Sequence, residues 1–283
     1  MKTVTSPAAR TLRAAAFYAA ATLLVVLWLL PLVIGAFTSL KSMDELMSDP
    51  VMWRAPKVLH FENFAEAWER AGMGRYIVNT FIVTIPSVVG ALAVSSLAAF
   101  ALAFYRFRLN KAVLILFVAG MLIPFQMLMI PVFRMSNAVG IDDSYLGVIL
   151  FHVSFQLGFC TFFLRNFMKQ IPYSQIEAPR IDGAGDFTIY SKIILPLALP
   201  SIAALAVLEF TWIWNDLLWS LVLLRSDALK TVTLGLANMQ GEFISTYNLT
   251  AAGSILAAIA PLAVFLAFQR YFIEGLTMGA DKG

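Results

Sequence analysis

Charged residues are absent from five long runs of this chain, at residues 14–40, 76–105, 112–133, 144–164 and 243–269. A sixth run, 193–224, is interrupted only by Glu209 and Asp216. About 20 apolar residues carry a helix across the hydrocarbon core of a bilayer, and every run reaches that length. Backbone groups in lipid must be satisfied within their own segment, so the runs are helices rather than strands. The pattern predicts an all-α integral membrane protein with six transmembrane helices and both termini on one side. Prolines at 31, 86, 124, 131 and 261 predict kinks in them. Between the first two runs, Phe61, Phe64, Ala65 and Trp68 recur at helical spacing, with Glu62, Glu66 and Glu69 on other faces. This predicts a short helix lying at the membrane interface. No internal repeat is present.

Composition turns this pattern into an exclusion. Of 283 residues 60% are hydrophobic and only 13% charged, too few charges to cover a soluble domain of this size. The expected organisation is a tail at 1–13, a single membrane domain at 14–272 and a tail at 273–283. Within the domain, an outer loop covers 41–75 and an inner loop 165–192. Basic residues set the orientation. Twelve of the twenty lie in the terminal tails, at Arg270 just before the last one, and in the segments 105–111 and 165–192, so these are expected to be cytoplasmic. The first run is too long for a cleaved signal core and predicts an uncleaved signal anchor. Cys160, in an apolar run, reads as a small buried hydrophobe. His60 and His152 match no metal-ligand spacing. Basic residues scattered over short loops give no support for nucleic-acid binding.

The inner segment from 171 to 200 reads IPYSQIEAPRIDGAGDFTIYSKIILPLALP. Ser174 and Glu177 have capping-box spacing, and Gly183 and Gly185 are placed to supply a turn with positive φ. Phe187, Ile189, Tyr190 and Ile193 resume an apolar pattern, and Pro196 and Pro200 mark the return to the membrane. A helix–turn–helix against the inner face is expected. Pro179 removes a helical hydrogen bond; it moves the expected start of the first helix toward Glu177 and sets itself against the capping box.

Glu177, Ala178, Gly183, Ile193, Leu195 and Pro196 stand in the register of Glu-Ala-Ala, three residues, Gly, nine residues, Ile-x-Leu-Pro. That register resembles the signature loop of binding-protein-dependent ABC importer permeases, with Pro179 in place of the second alanine. The resemblance implies a coupling helix between membrane helices 4 and 5 that docks on a separate ATPase. Glu177, Ala178, Arg180, Asp182, Gly183, Ile193, Leu195 and Pro196 would form it, with Glu177 making the charged contact and Gly183 the sharp turn. The ending QRYFIEGLTMGADKG resembles the tail of maltose-type permeases, which implies that Gly279, Lys282 and Gly283 reach the ATPase. Asn63, Phe64, Trp68, Tyr76 and Asn79 resemble the segment before the second span in carbohydrate permeases. The implied partners are a second homologous permease, two ATPase subunits, an extracytoplasmic substrate-binding protein and the lipid of a bacterial-type inner membrane. This chain has no GxxxxGK[ST] run. ATP and Mg would sit on the partner ATPases, with no cofactor and no catalysis here.

In the run at 193–224, Glu209 is expected roughly 18 Å into the membrane and Asp216 roughly 28 Å, from the helical rise. Seven residues apart, they would share one helical stripe. Two readings fit Glu209, Trp212, Asn215 and Asp216: a sugar path in which indoles stack and polar groups bond hydroxyls, or an interfacial aromatic belt with structural hydrogen bonds. The first is preferred for Glu209. Trp214–Asp216 also resembles a recurrent WND feature of carbohydrate permeases. A secondary transporter with Glu209 as its proton site is the alternative function. An aspartyl protease is disfavoured, because a separation of about 10.5 Å along the helix prevents the two acids from sharing a proton.

Overall fold

A computed structural model describes residues 7–49, 51–69, 72–239 and 246–277. In chain order the α-helices are α1 (Pro7–Ser39), α2 (Met43–Ser48), α3 (Glu62–Glu69), α4 (Met73–Phe104), α5 (Asn110–Met121) and α6 (Met129–Ala138). They continue with α7 (Tyr145–Met168), α8 (Ser174–Ile181), α9 (Asp186–Ile189), α10 (Leu195–Leu197), α11 (Leu199–Trp214), α12 (Leu218–Leu223), α13 (Val232–Asn238) and α14 (Tyr247–Thr277). No strand occurs among the described residues. Segments within α1, α4, α7 and α14 are long and apolar enough to span, and two bent helix pairs bring the number to six. The predicted all-α, six-span class is what the chain adopts.

Two spans differ from their predicted form. The run at 112–133 is two helices, and the axis turns by 92° between α5 and the segment Phe125–Ala138. Leu122 and Ile123 close the end of α5 with tight bonds to Ala119 and Gly120, and Pro124 follows with no N–H to continue the ladder. The run at 193–224 bends by 73° between Asp186–Leu197 and α11. It then breaks again at Asn215, where α11 stops before α12 begins. Upstream of Pro196 the backbone widens into a π turn over Tyr190–Ile194, in which Leu195 N–H bonds the Tyr190 carbonyl. That widening relieves the crowding proline imposes on the turn before it. Pro31, Pro86 and Pro261 lie inside unbroken helices.

The chain forms two compact units. The first comprises residues 1–72 and 238–256. Here the side chains of 22–33 on α1 are exposed, as a lipid-facing helix requires. The predicted interfacial helix exists as α3. Its protein-facing side is Asn63 and Ala67, and Phe61, Ala65 and Trp68 stay exposed. The Asn63 amide donates to the carbonyls of Ser39 and Lys41, both at 2.9 Å, and its oxygen accepts from Asn248 at 3.0 Å. Those otherwise unpaired carbonyls explain why a polar residue is the buried one.

The second unit comprises residues 73–237 and 257–283. Its core is α4 against α7, joined by α5 and α11. Ser87, Ala91, Ser95, Ala99 and Ala103 recur every four residues on α4, all buried. Small side chains at this spacing let membrane helices approach closely, where dispersion contacts replace the absent hydrophobic driving force. At one end of α4, the Asn79 amide donates to Ala228 and Lys230 carbonyls at 2.9 Å and its oxygen accepts from the Tyr145 hydroxyl at 2.7 Å. Nearby, a β-carbon at Gly235 would lie 2.1 Å from the ring of buried Tyr76. Gly235→Ala is therefore expected to destabilise the unit by about 1–3 kcal/mol or more. Thermal unfolding in detergent reads this as a lowered Tm, and an unchanged Tm would refute the close approach.

Candidate functional site

Two places gather the residues singled out above. The first is the helix–turn–helix of α8 and α9. The helix α8 starts at Ser174 with Tyr173 as its cap residue and no side-chain cap bond, so Ser174 and Glu177 do not form a capping box. Nor does the start shift toward Glu177. Backbone bonds from Gln175 to Pro172 and from Ile176 to Tyr173 open the helix early, and Pro179 is accommodated inside it. At its end, Ala184 N–H bonds the Pro179 carbonyl at 2.9 Å and Gly183 N–H bonds Arg180 at 3.2 Å. With Gly183 at φ 85°, this pair of bonds is a Schellman turn. Only Gly183 takes positive φ; Gly185 is extended, at φ −71°.

One side of α8 is anchored. Ile176 is fully buried in a cluster with Phe100, Leu164, Ile189, Tyr190 and Ile194, and Ile193 and Leu195 pack against that cluster. The Tyr190 hydroxyl meets Ser96 of α4 at 2.8 Å. Arg180 bonds Asp186 at 2.8 Å across the turn, and its guanidinium lies over the Tyr105 ring at 5.6 Å. The Tyr105 hydroxyl and Arg180 hold the Asp186 carboxyl below the usual carboxylate range. Burial and the neighbouring Asp186 push the Tyr105 phenol up to about 12. Arg180 thus braces the loop from within. The opposite side is open. Glu177, Ala178, Asp182, Gly183 and Pro196 are exposed. So are Tyr173 at 53%, Ile181 at 80% and Phe187 at 75%. These three were missed by sequence reasoning, although Tyr173, Glu177 and Ile181 stand four residues apart on one helical face.

The second place is a cavity of about 380 Å³ at the break after α11. Trp212, Asn215 and Asp216 line it, with Phe125, Phe151, Phe155, Trp219, Gln156 and His152. Asp216 accepts from the backbone N–H of Trp219 at 3.3 Å and of Ser220 at 3.0 Å, capping α12, and His152 Nε2 lies 3.7 Å away. Phe151 stacks on Trp219 with centroids 3.5 Å apart. The lining holds one carboxylate and neither Lys nor Arg. His152 and Gln156 were not anticipated as site residues; they lie four apart on α7, the one sequence signal for a shared face.

Glu209 is not at this cavity. It is fully buried between α11 and its neighbours, where Cys160 of α7 donates to Oε1 at 3.4 Å. The shared stripe with Asp216 does not form, because α11 ends at Trp214 between them. Cys160 is buried as expected, and it also serves as a donor. Trp214 is buried too, bonding the Ala257 carbonyl at 3.1 Å through its indole nitrogen. Gly279, Lys282 and Gly283 lie outside the described residues.

Residues 91–276, which include both places, match the family of binding-protein-dependent transport system inner membrane components. The chain belongs to that family. Among curated relatives of this permease, the melibiose/raffinose/stachyose import permease protein MelC of Bacillus subtilis is 35% identical over 255 residues, covering 90% of this chain and 91% of MelC. The alpha-glucoside transport system permease protein AglG of Rhizobium meliloti is 38% identical over 235 residues, covering 81% of the permease and 62% of AglG. Among solved structures, a bacterial ABC transporter that imports the acidic polysaccharide alginate superimposes with a TM-score of 0.83 at 22% identity, covering 95% of this chain and 99% of that one. This last likeness is one of fold.

Proposed function

We propose that this permease forms half of the translocation path of an ATP-driven saccharide importer, taking its driving motion through α8. The observation that carries the reading is the two-sided build of α8: Ile176 locked into the membrane core, and Tyr173, Glu177 and Ile181 left facing out. An exposed apolar face centred on an acid fits a groove on another subunit. The Arg180 brace and the Schellman turn stiffen the loop, so force applied to α8 reaches α4 and α7 rather than dissipating in a hinge. ATP and Mg belong to two partner ATPases, and a second permease of the same family completes the path. A binding protein delivers solute from outside, consistent with the family's dependence on one. Both termini and α8 are cytoplasmic in this reading, on the basic-residue bias.

Solute passes the cavity at Asp216, where aromatic faces and hydroxyl-bonding groups suit a saccharide. The solute class draws on the two curated relatives, whose names refer to sugars. A proton site at Glu209 is not favoured, since that carboxyl faces helices rather than the cavity.

Co-purification tests the assembly. A tagged chain is expected to isolate with ATPase and second-permease subunits, and its uptake to cease on ATP depletion while the proton gradient persists. Isolation alone, with uptake abolished by an uncoupler at normal ATP, would overturn it.

A further inference from the structure

The segment linking α4 to α5 meets the α8–α9 loop only through Tyr105 and takes no part in the cavity at Asp216. The Asn110 amide donates to the carbonyls of Leu102 at 3.2 Å and Tyr105 at 2.9 Å, which clasps the intervening loop against the end of α4. Beside it lies a cavity of about 380 Å³. Arg106, Arg108, Lys111 and Lys169 line it, with Tyr105 and Tyr173, and no carboxylate belongs to the lining. Asp186, the acid beside the Tyr105 hydroxyl, is already paired with Arg180. Four cations round one cavity raise its local potential and favour entry of an anion. Arg and Lys both bind phosphate oxygens through charge-assisted bonds, Arg in a bidentate fork.

The level in the membrane and the apolar neighbours identify the source of the phosphate. Two spans end here, at Phe104 and Met168, and α5 departs from Asn110, so the cavity lies at headgroup depth. The loop alternates cation and apolar residue: Arg106, Phe107, Arg108, Leu109, with Phe107 44% and Leu109 60% exposed. Beyond it Ile115 and Leu116 of α5 are exposed as well. Charges beside a phosphate with aliphatic and aromatic groups toward acyl chains is the arrangement an anionic phospholipid requires, and a free phosphate makes no use of the apolar part. Basic residues at this end also set orientation. Orientation needs only their number; the enclosure and the alternation are additional.

We propose that this cavity binds the headgroup of an anionic phospholipid. The test is native mass spectrometry of the assembled transporter released from detergent with added phosphatidylglycerol, phosphatidylcholine or inorganic phosphate. Wild type is expected to retain phosphatidylglycerol in preference to phosphatidylcholine, and a paired Arg108→Gln, Lys169→Gln variant to retain it roughly tenfold less. The charge-keeping Arg108→Lys variant is expected to stay near wild type. Equal retention by the Gln variant, or equal retention of both lipids by wild type, overturns the proposal. Displacement of the lipid by millimolar phosphate would identify a free-anion site instead. Loss of the ATPase with lipid retained would assign the cations to a protein contact. Should the Gln variant fail to assemble, photo-crosslinking of wild type by a diazirine phosphatidylglycerol is expected to label residues 105–116. Absence of label there is the refuting result.

Discussion

Glu177→Ala is expected to leave the six-span body assembled and to lower solute-stimulated ATP hydrolysis about tenfold, the loss that follows when one charge-assisted hydrogen bond of roughly 1.5–3 kcal/mol is removed. The side chain is exposed and has no hydrogen-bond partner among the described residues, so truncation is expected to leave the core untouched. Two companions separate docking from folding. Ile181→Ser, on the same open face, is expected to weaken ATPase association with no change in Tm. Ile176→Asp is expected to unseat α8 altogether, because it places an unpaired carboxylate in a closed apolar cluster. Hydrolysis and solute uptake are measured together in proteoliposomes. If Glu177→Ala keeps both at wild-type levels, the open face of α8 is not where the motor grips.

At the cavity after α11, Asp216→Leu is expected to abolish uptake, and Asp216→Asn to separate the charge of this side chain from its bonds to the start of α12. The carboxylate holds the start of α12 through both oxygens, Oδ1 accepting from Trp219 N–H and Oδ2 from Ser220 N–H. Asparagine offers one acceptor oxygen and keeps one of these two bonds, at a modest cost in Tm, while the charge in the cavity disappears. A role in the path predicts that Asp216→Asn raises the half-saturation concentration of the reconstituted transporter about tenfold while the transporter still assembles. A role confined to the cap predicts wild-type uptake, which would remove Asp216 from the path. Glu209→Gln is the control. Glu209 is shut off from the cavity, so its amide is expected to leave half-saturation unchanged. If Asp216 lines the path, a lining with one carboxylate and neither Lys nor Arg favours neutral saccharides over anionic ones.

The helix–turn–helix of α8 and α9 was legible in advance because its spacing encodes local backbone events. A turn that needs positive φ takes glycine, and Gly183 holds that position with φ 85°. Ile176 was not legible. Its burial depends on Phe100, Leu164 and Ile194, which arrive from three other parts of the chain. Arg180 was placed with the outward-facing residues because it sits inside the signature. Its commitment to Asp186 and Tyr105 is visible only once the turn brings residues 6 and 75 positions away alongside it.

The span-five reading failed for a related reason. A stripe drawn through Glu209 and Asp216 assumes an unbroken helix, but Asn215 ends α11 and its amide bonds back to the Thr211 carbonyl at 2.7 Å. Past the break, Asp216 turns to a cavity and Glu209 stays with its neighbours.

Unaided by coordinates, the order of residues determined that this chain lives in a bilayer, crosses it six times and carries a short helix between spans four and five. A helix that crosses hydrocarbon needs about 20 residues with few charges, and that constraint is written in linear runs. Tertiary structure alone decided which polar groups meet. Cys160 reaches Glu209, Asn79 holds the carbonyls of Ala228 and Lys230, and His152 comes within 3.7 Å of Asp216. In a medium as apolar as the helices themselves, hydropathy says a segment is buried but not against what; close packing of small residues on α4 and α7 makes that choice.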